Sequence, residues 1–177
     1  MVQTKYKILN GIVMALVLMI ACGVQSSFWF QLTGGAPAPQ LWLLIVLYLS
    51  LYRPYFVGMG LIYLFSFILK SFSAVPLGML WSCFFILVSL TNFIKSRFFW
   101  SNTRYFIIAS AAFSVAFNIL FYAMSQLIED NSASLSIFTR LTEIILTTLF
   151  STPMYWFLMR IDHVTLPEVM ETHEVGE

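Results

Sequence analysis

The chain has 177 residues, 60% hydrophobic and 18% aromatic but only 10% charged, against about 25% charged residues in an ordinary soluble domain; a soluble globular fold is excluded. Nine Lys and Arg against eight Asp and Glu leave a net charge of +1, so no basic field is present to hold nucleic acid. Cys22 and Cys83 both lie within apolar runs, with neither the CxxC spacing of a metal or redox centre nor the density of a disulfide framework.

No Asp, Glu, Lys or Arg falls between Lys7 and Arg53, between Lys70 and Lys95, or between Arg104 and Glu129. Each interval exceeds the roughly 20 residues that cross a bilayer as a helix. The expected fold is therefore an all-α integral membrane protein, a bundle of six transmembrane helices over residues 1–161 with a short acidic cytoplasmic tail, 162–177.

The first span is expected over residues 8–30, preceded by Lys5 and Lys7. It lacks an A-x-A cleavage pattern, so it reads as a span and not as a signal peptide. Gly34, Gly35, Pro37 and Pro39 then make a turn. The second span, residues 40–52, is shorter than a comfortable crossing and is either buried in the bundle or slightly re-entrant. Arg53-Pro54 ends it sharply, because the residue before a proline is pushed out of the helical region and the guanidinium seeks water or lipid phosphate. The third span covers residues 55–69 and the fourth 79–93, separated by Lys70 and the segment Ser71–Gly78. A fifth follows over 105–127. The sixth, 135–160, contains Pro153, which is expected to kink it.

Six spans place both termini on one side. With the N-terminus cytoplasmic, Lys5, Lys7, Arg53, Lys95, Arg97, Arg104 and Arg160 lie inside and only Lys70 and Arg140 outside, which is the arrangement the positive-inside rule selects.

Catalytic constellations are sparse. His163 and His173 stand in or beside the tail without metal-ligand spacing, and no metal, cofactor or catalytic residue is assigned. An intramembrane enzyme would have to rest on Glu143, Arg140 and Tyr122. Glu143 lies three residues after Arg140, on nearly the same helix face, and an interfacial Arg140–Glu143 ion pair anchoring the last span accounts for both. Ser110, Ser114, Asn118 and Tyr122 recur every four residues in span 5, as do Thr139, Glu143, Thr147 and Ser151 in span 6. Such stripes face protein, as helix–helix contacts or as the wall of a polar pocket. Gly11 with Ala15, and Ala112 with Ala116, are small-residue pairs that permit close backbone approach.

The order APAPQLWLLIVLYLSLYRPYFVGMGLIYLFSFILKSFSAVPLGM, residues 36–79, resembles the core of the rod shape-determining protein MreD family. That resemblance rests on Pro39 opening a short second span, on the Arg53-Pro54 break, on Gly58 and Gly60 early in the third span, and on the turn Pro76-Leu77-Gly78. TPMYWFLMRI, with Pro153, is similar to the family's Pro-containing last helix. Gln40 and Lys70 depart from the family pattern, which has an acid or Asn after the loop proline and commonly an Asp ending the third span. The resemblance implies a fold similar to the substrate-binding components of energy-coupling-factor transporters. It implies a non-catalytic scaffold of the bacterial inner membrane, serving cell shape and lateral peptidoglycan synthesis. The implied partners are an MreC-like bitopic protein, an MreB-like filament, the RodA and penicillin-binding-protein synthases, and membrane lipids. Gly11, Ala15, Gly58 and Gly60 on spans 1 and 3 are the expected partner contacts, where large side chains should abolish association without unfolding the bundle. The rival is a vitamin-capture component of an energy-coupling-factor transporter, with a pocket on the outer half built from the polar stripes.

Overall fold

The computed structural model describes residues 2–73, 75–98, 102–128 and 136–166. The elements, in order, are α1 (Val2–Gly23), a π-helical turn (Val24–Phe28), α2 (Trp29–Thr33), α3 (Leu41–Tyr52), α4 (Tyr55–Phe72), α5 (Leu77–Phe98), α6 (Thr103–Ile128) and α7 (Ile137–Thr165). The backbone stays right-handed through Gly23, Phe28 and Trp29, so α1, the π turn and α2 form one continuous rod. It ends where Gly34 adopts φ 66° and donates its N–H to the Phe30 carbonyl, the left-handed cap that glycine accepts without a Cβ penalty.

Five helices are long and apolar enough to cross a membrane: Lys5–Thr33, Tyr55–Phe72, Leu77–Phe98, Thr103–Ile128 and Ile137–Thr165. Each buries a stripe and turns the rest of its apolar surface outward, with Phe56, Phe138 and Trp156 among the exposed side chains. Outward apolar faces on every long helix are what a lipid surround requires. The chain is a multi-pass, all-α membrane protein.

The sixth apolar helix differs from these five. Every residue of α3 from Leu43 to Leu51 is buried, as expected of a helix that is apolar all round. Its 12 residues rise about 18 Å, against about 30 Å of bilayer hydrocarbon. The other helices pack around it: Met14 and Leu18 from α1, Ile62 and Phe65 from α4, Phe84 and Leu87 from α5, and Phe106 and Phe113 from α6 belong to the same core. Side-chain bonds give the directions. Gln40 meets Thr147 and Arg53 meets Asp162, so α3 runs parallel to α7. Asn10 meets Asp162 while the Trp29 ring stands edge-on to Phe150 at 5.9 Å, so α1 runs antiparallel to α7.

The breaks coincide with the prolines. Arg53 is extended, at φ −110° and ψ 155°, as a residue before proline must be. Pro54 precedes α4, and Pro76 precedes α5, where its carbonyl accepts from the N–H groups of Met79 and Leu80. Gly78 lies in the first turn of α5, with open space where a Cβ would stand. Pro153 sits inside a helix that continues to Thr165.

Two expectations are corrected. The last helix does not stop at Arg160: Asp162 and Thr165 belong to α7 and are buried, because the helical period carries them onto the face already occupied by Thr147, Ser151, Tyr155 and Leu158. Arg53 does not reach water or lipid phosphate. Its side chain is 11% exposed and turns into the bundle toward Asp162. Residues 167–177 with His173, the first residue of the expected sixth span, Leu135, and Trp100, Glu129 and Asp130 lie outside the described residues.

Candidate functional site

Polar groups gather at the two ends of α3. At its C-terminal end, the Pro54 break aims Arg53 across the bundle. Arg53 Nη2 lies 2.7 Å from Asp162 Oδ1 and donates to Asn10 Oδ1 at 2.8 Å. Asn10 Nδ2 donates to Asp162 Oδ1 at 2.8 Å and to Thr165 Oγ1 at 2.7 Å. Tyr48, itself fully buried and stacked on Tyr52 at 4.7 Å between ring centroids, donates to Asp162 Oδ2 at 2.7 Å. Both carboxylate oxygens are thus satisfied by three side chains, Asn10, Tyr48 and Arg53, which is the condition for a buried ion pair to be tolerated at all. This cluster locks α1, α3 and α7 together.

At the N-terminal end of α3 the stripe of α7 takes up the loop. The Gln40 backbone N–H donates to Thr147 Oγ1 at 2.9 Å, and Gln40 Nε2 donates to Glu143 Oε2 at 3.1 Å. Arg140 Nη1 donates to the same oxygen at 3.0 Å, with side-chain exposures of 32% for Arg140 and 16% for Glu143. The expected Arg140–Glu143 pair is therefore present, and it serves Gln40 as well as the start of α7. A partly exposed i, i+3 pair contributes little; Arg140→Ala is expected to change the unfolding free energy by at most about 1 kcal/mol, read from denaturant titration in micelles.

Between these residues and the π turn lies a cavity of 310 Å³. Gln25 and Ser26 enter it from the turn, Gln40 and Trp42 from the start of α3, Phe72 from the end of α4, Phe117 and Phe121 from α6, and Arg140 and Glu143 from α7. A π-bulge widens a helix locally and re-aims its side chains, and such bulges concentrate at functional sites. Gln40 is 5% exposed, yet no protein donor reaches its Oε1; the same holds for the buried Oε1 of Gln25. A second, mainly apolar groove of 210 Å³ runs between α5 and α6 over Leu47 and Leu51 of α3, walled in part by Ala109, Ala112 and Ala116.

The other stripe residues have ordinary packing roles. Ser110, Ser114 and Ser151 are buried; Ser110 Oγ, Asn118 Nδ2 and Ser151 Oγ donate to the carbonyls of Ile107, Ser114 and Thr148 in their own helices, so these groups satisfy themselves locally while their small side chains let neighbouring helices pack. The small residues divide. A Cβ on Gly58 would lie 3.1 Å from the Leu49 carbonyl oxygen, so Gly58 is the point where α4 approaches α3. Gly11 stands against Leu61, and Ala15 packs on the core. Gly60 has open space beside it. Among the described residues no group of three or more His, Cys, Asp or Glu could hold a metal ion.

No family model, curated protein or solved structure matches this chain.

Proposed function

We propose that the chain is a non-catalytic membrane scaffold of the MreD kind, working in cell elongation and lateral peptidoglycan synthesis. The observation that carries this reading is the succession of breaks: Pro39 before α3, Arg53-Pro54 between α3 and α4, Pro76 before α5 and Pro153 within α7, in the order that the resemblance rests on. Counting α3 as a short crossing gives six spans, with both termini cytoplasmic in the inner membrane and Lys95 and Arg97 near anionic headgroups. The fold would then be similar to that of energy-coupling-factor substrate-binding components.

The partners are an MreC-like bitopic protein, an MreB-like filament, and the RodA and penicillin-binding-protein synthases. A bitopic partner brings one helix, and it needs a face where backbones can approach closely. Gly60 offers this on α4, because nothing among the described residues lies within 4 Å of where its Cβ would stand. Purification of the tagged chain from its own host in mild detergent is expected to recover an MreC-like protein and wall synthases. Gly60→Leu is expected to lose that partner while its helical content and melting stay unchanged. Recovery of paired ATPases with a coupling subunit would replace the scaffold by vitamin capture.

A further inference from the structure

The groove between α5 and α6 faces outward: Leu90, Ile94 and Ile108 on its walls are exposed, while Leu47 and Leu51 at its floor are buried. Thr91 returns its hydroxyl to the Leu87 carbonyl of its own helix at 2.8 Å, so the lining it offers is hydrocarbon. From Tyr105 to Ala116 the wall on α6 rises about 16 Å, close to the roughly 15 Å of hydrocarbon in one leaflet of a bilayer. A crossing helix would need about twice that depth and a width of about 10 Å. The 210 Å³ of the groove, spread over this length, is room for one slender chain.

Beyond the end of the groove that meets the α5–α6 turn, the lining gives way to cations. Arg97 follows Ile94 by three residues on α5, and Arg104 precedes Ile108 by four on α6, so each continues a groove-lining face by one helical turn. Both are exposed. Arg97 lies over the Phe93 ring at 5.1 Å, a contact that leaves its N–H donors open. Among the described residues the carboxylates are Glu143 and Asp162, and these are paired with Arg140 and Arg53, so neither answers Arg97 or Arg104. Lys95 is tied to the α3–α4 break, where it donates to the Arg53 carbonyl at 3.3 Å. Two guanidiniums at the mouth of an apolar groove one leaflet deep match a phosphate headgroup above a single hydrocarbon tail. We propose that the groove seats one acyl chain of an anionic phospholipid, with its headgroup phosphate on Arg97 and Arg104. Such a seat holds one lipid in place, unlike the diffuse attraction of cations to a charged surface. It rests on the membrane fold and not on the scaffold reading.

The test uses the full chain, delipidated in nonionic detergent and titrated with dioleoyl phosphatidylglycerol or dioleoyl phosphatidylcholine, with one-to-one adducts counted by native mass spectrometry. The two lipids share their chains and differ in net charge. A saturable phosphatidylglycerol adduct is expected, with phosphatidylcholine weaker by about tenfold. Arg97→Gln combined with Arg104→Gln should bring the two lipids level. Ala112→Phe fills the groove from an exposed position and leaves both cations in place; it is expected to weaken phosphatidylglycerol by about tenfold, which attraction to surface charge alone would not produce. If Ala112→Phe does not fold, Ala116→Leu carries the same expectation from the same wall. Equal affinity for the two lipids, binding untouched by the groove variant, or no saturable adduct would overturn the proposal. So would a benzophenone side chain at Ile108 that captures a polypeptide and not a lipid in the host membrane, which would give the groove to a partner helix. Failure to recover the scaffold's partners on purification would leave the lipid titrations unchanged, so the two readings fail separately.

Discussion

Asp162→Ala is expected to destabilise the bundle by about 3 to 5 kcal/mol, because it strands a buried partner of the opposite charge. The Arg53 side chain is 11% exposed and keeps only the Asn10 carboxamide as a side-chain acceptor. The Tyr48 hydroxyl loses its acceptor in the centre of the core, and Asn10 Nδ2 is left with Thr165. Asp162→Asn keeps the shape and some of the hydrogen bonds but not the charge, and it should fall between Ala and the native residue. Removing both charges together, as Arg53→Met with Asp162→Leu, is expected to recover much of the loss, since apolar replacement of a buried pair is often neutral. Unfolding in mixed micelles measures all four proteins. A single Asp162→Ala variant within about 1 kcal/mol of the native chain would show that the pair is solvated and not locked, as exposed pairs are.

The second large effect separates two glycines two residues apart, on nearly opposite faces of α4. Gly58→Leu is expected to cost about 1 to 3 kcal/mol or more by overpacking, because even its Cβ would stand 3.1 Å from the Leu49 carbonyl oxygen and 3.6 Å from Arg53 Cβ. Backbone on one side and the ion-pair arginine on the other cannot give way cheaply. Gly60→Leu meets nothing within 4 Å and exchanges a poor helix former for a good one, so its stability should equal or slightly exceed the native value. Thermal melts of the two variants decide this directly. Partner loss on Gly58→Leu would therefore report damage to the bundle, whereas loss on Gly60→Leu would report the contact itself.

The helices were legible because charge-free runs and prolines act locally. Intervals without Lys, Arg, Asp or Glu mark the long helices, and the Pro39 and Arg53-Pro54 punctuation sets the limits of α3 to within a residue. Glu143 and Thr147 were legible as one stripe, and Gln40 docks on both. The Arg53–Asp162 pair was not, since its members are 109 residues apart and no local spacing encodes which helices touch. Asp162 had a signal nonetheless: it follows Thr147, Ser151, Tyr155 and Leu158 at helical intervals, a period that outweighs its position at the edge of a polar tail. The π turn leaves no trace in VQSSF, because widening a helix by one residue changes hydrogen-bond register and not composition.

The wiring of the Arg53–Asp162 cluster sets a timetable for biogenesis. Asn10 and Arg53 are synthesised early, but the carboxylate that satisfies both arrives 109 residues after Arg53, roughly 5 to 20 s later at ordinary elongation rates. Through that interval α3 is a short apolar segment with an uncompensated cation at one end, and it can settle between α1 and α7 only once α7 has entered the membrane. The contact that ties α1, α3 and α7 together is consequently completed only when the last helix is in place.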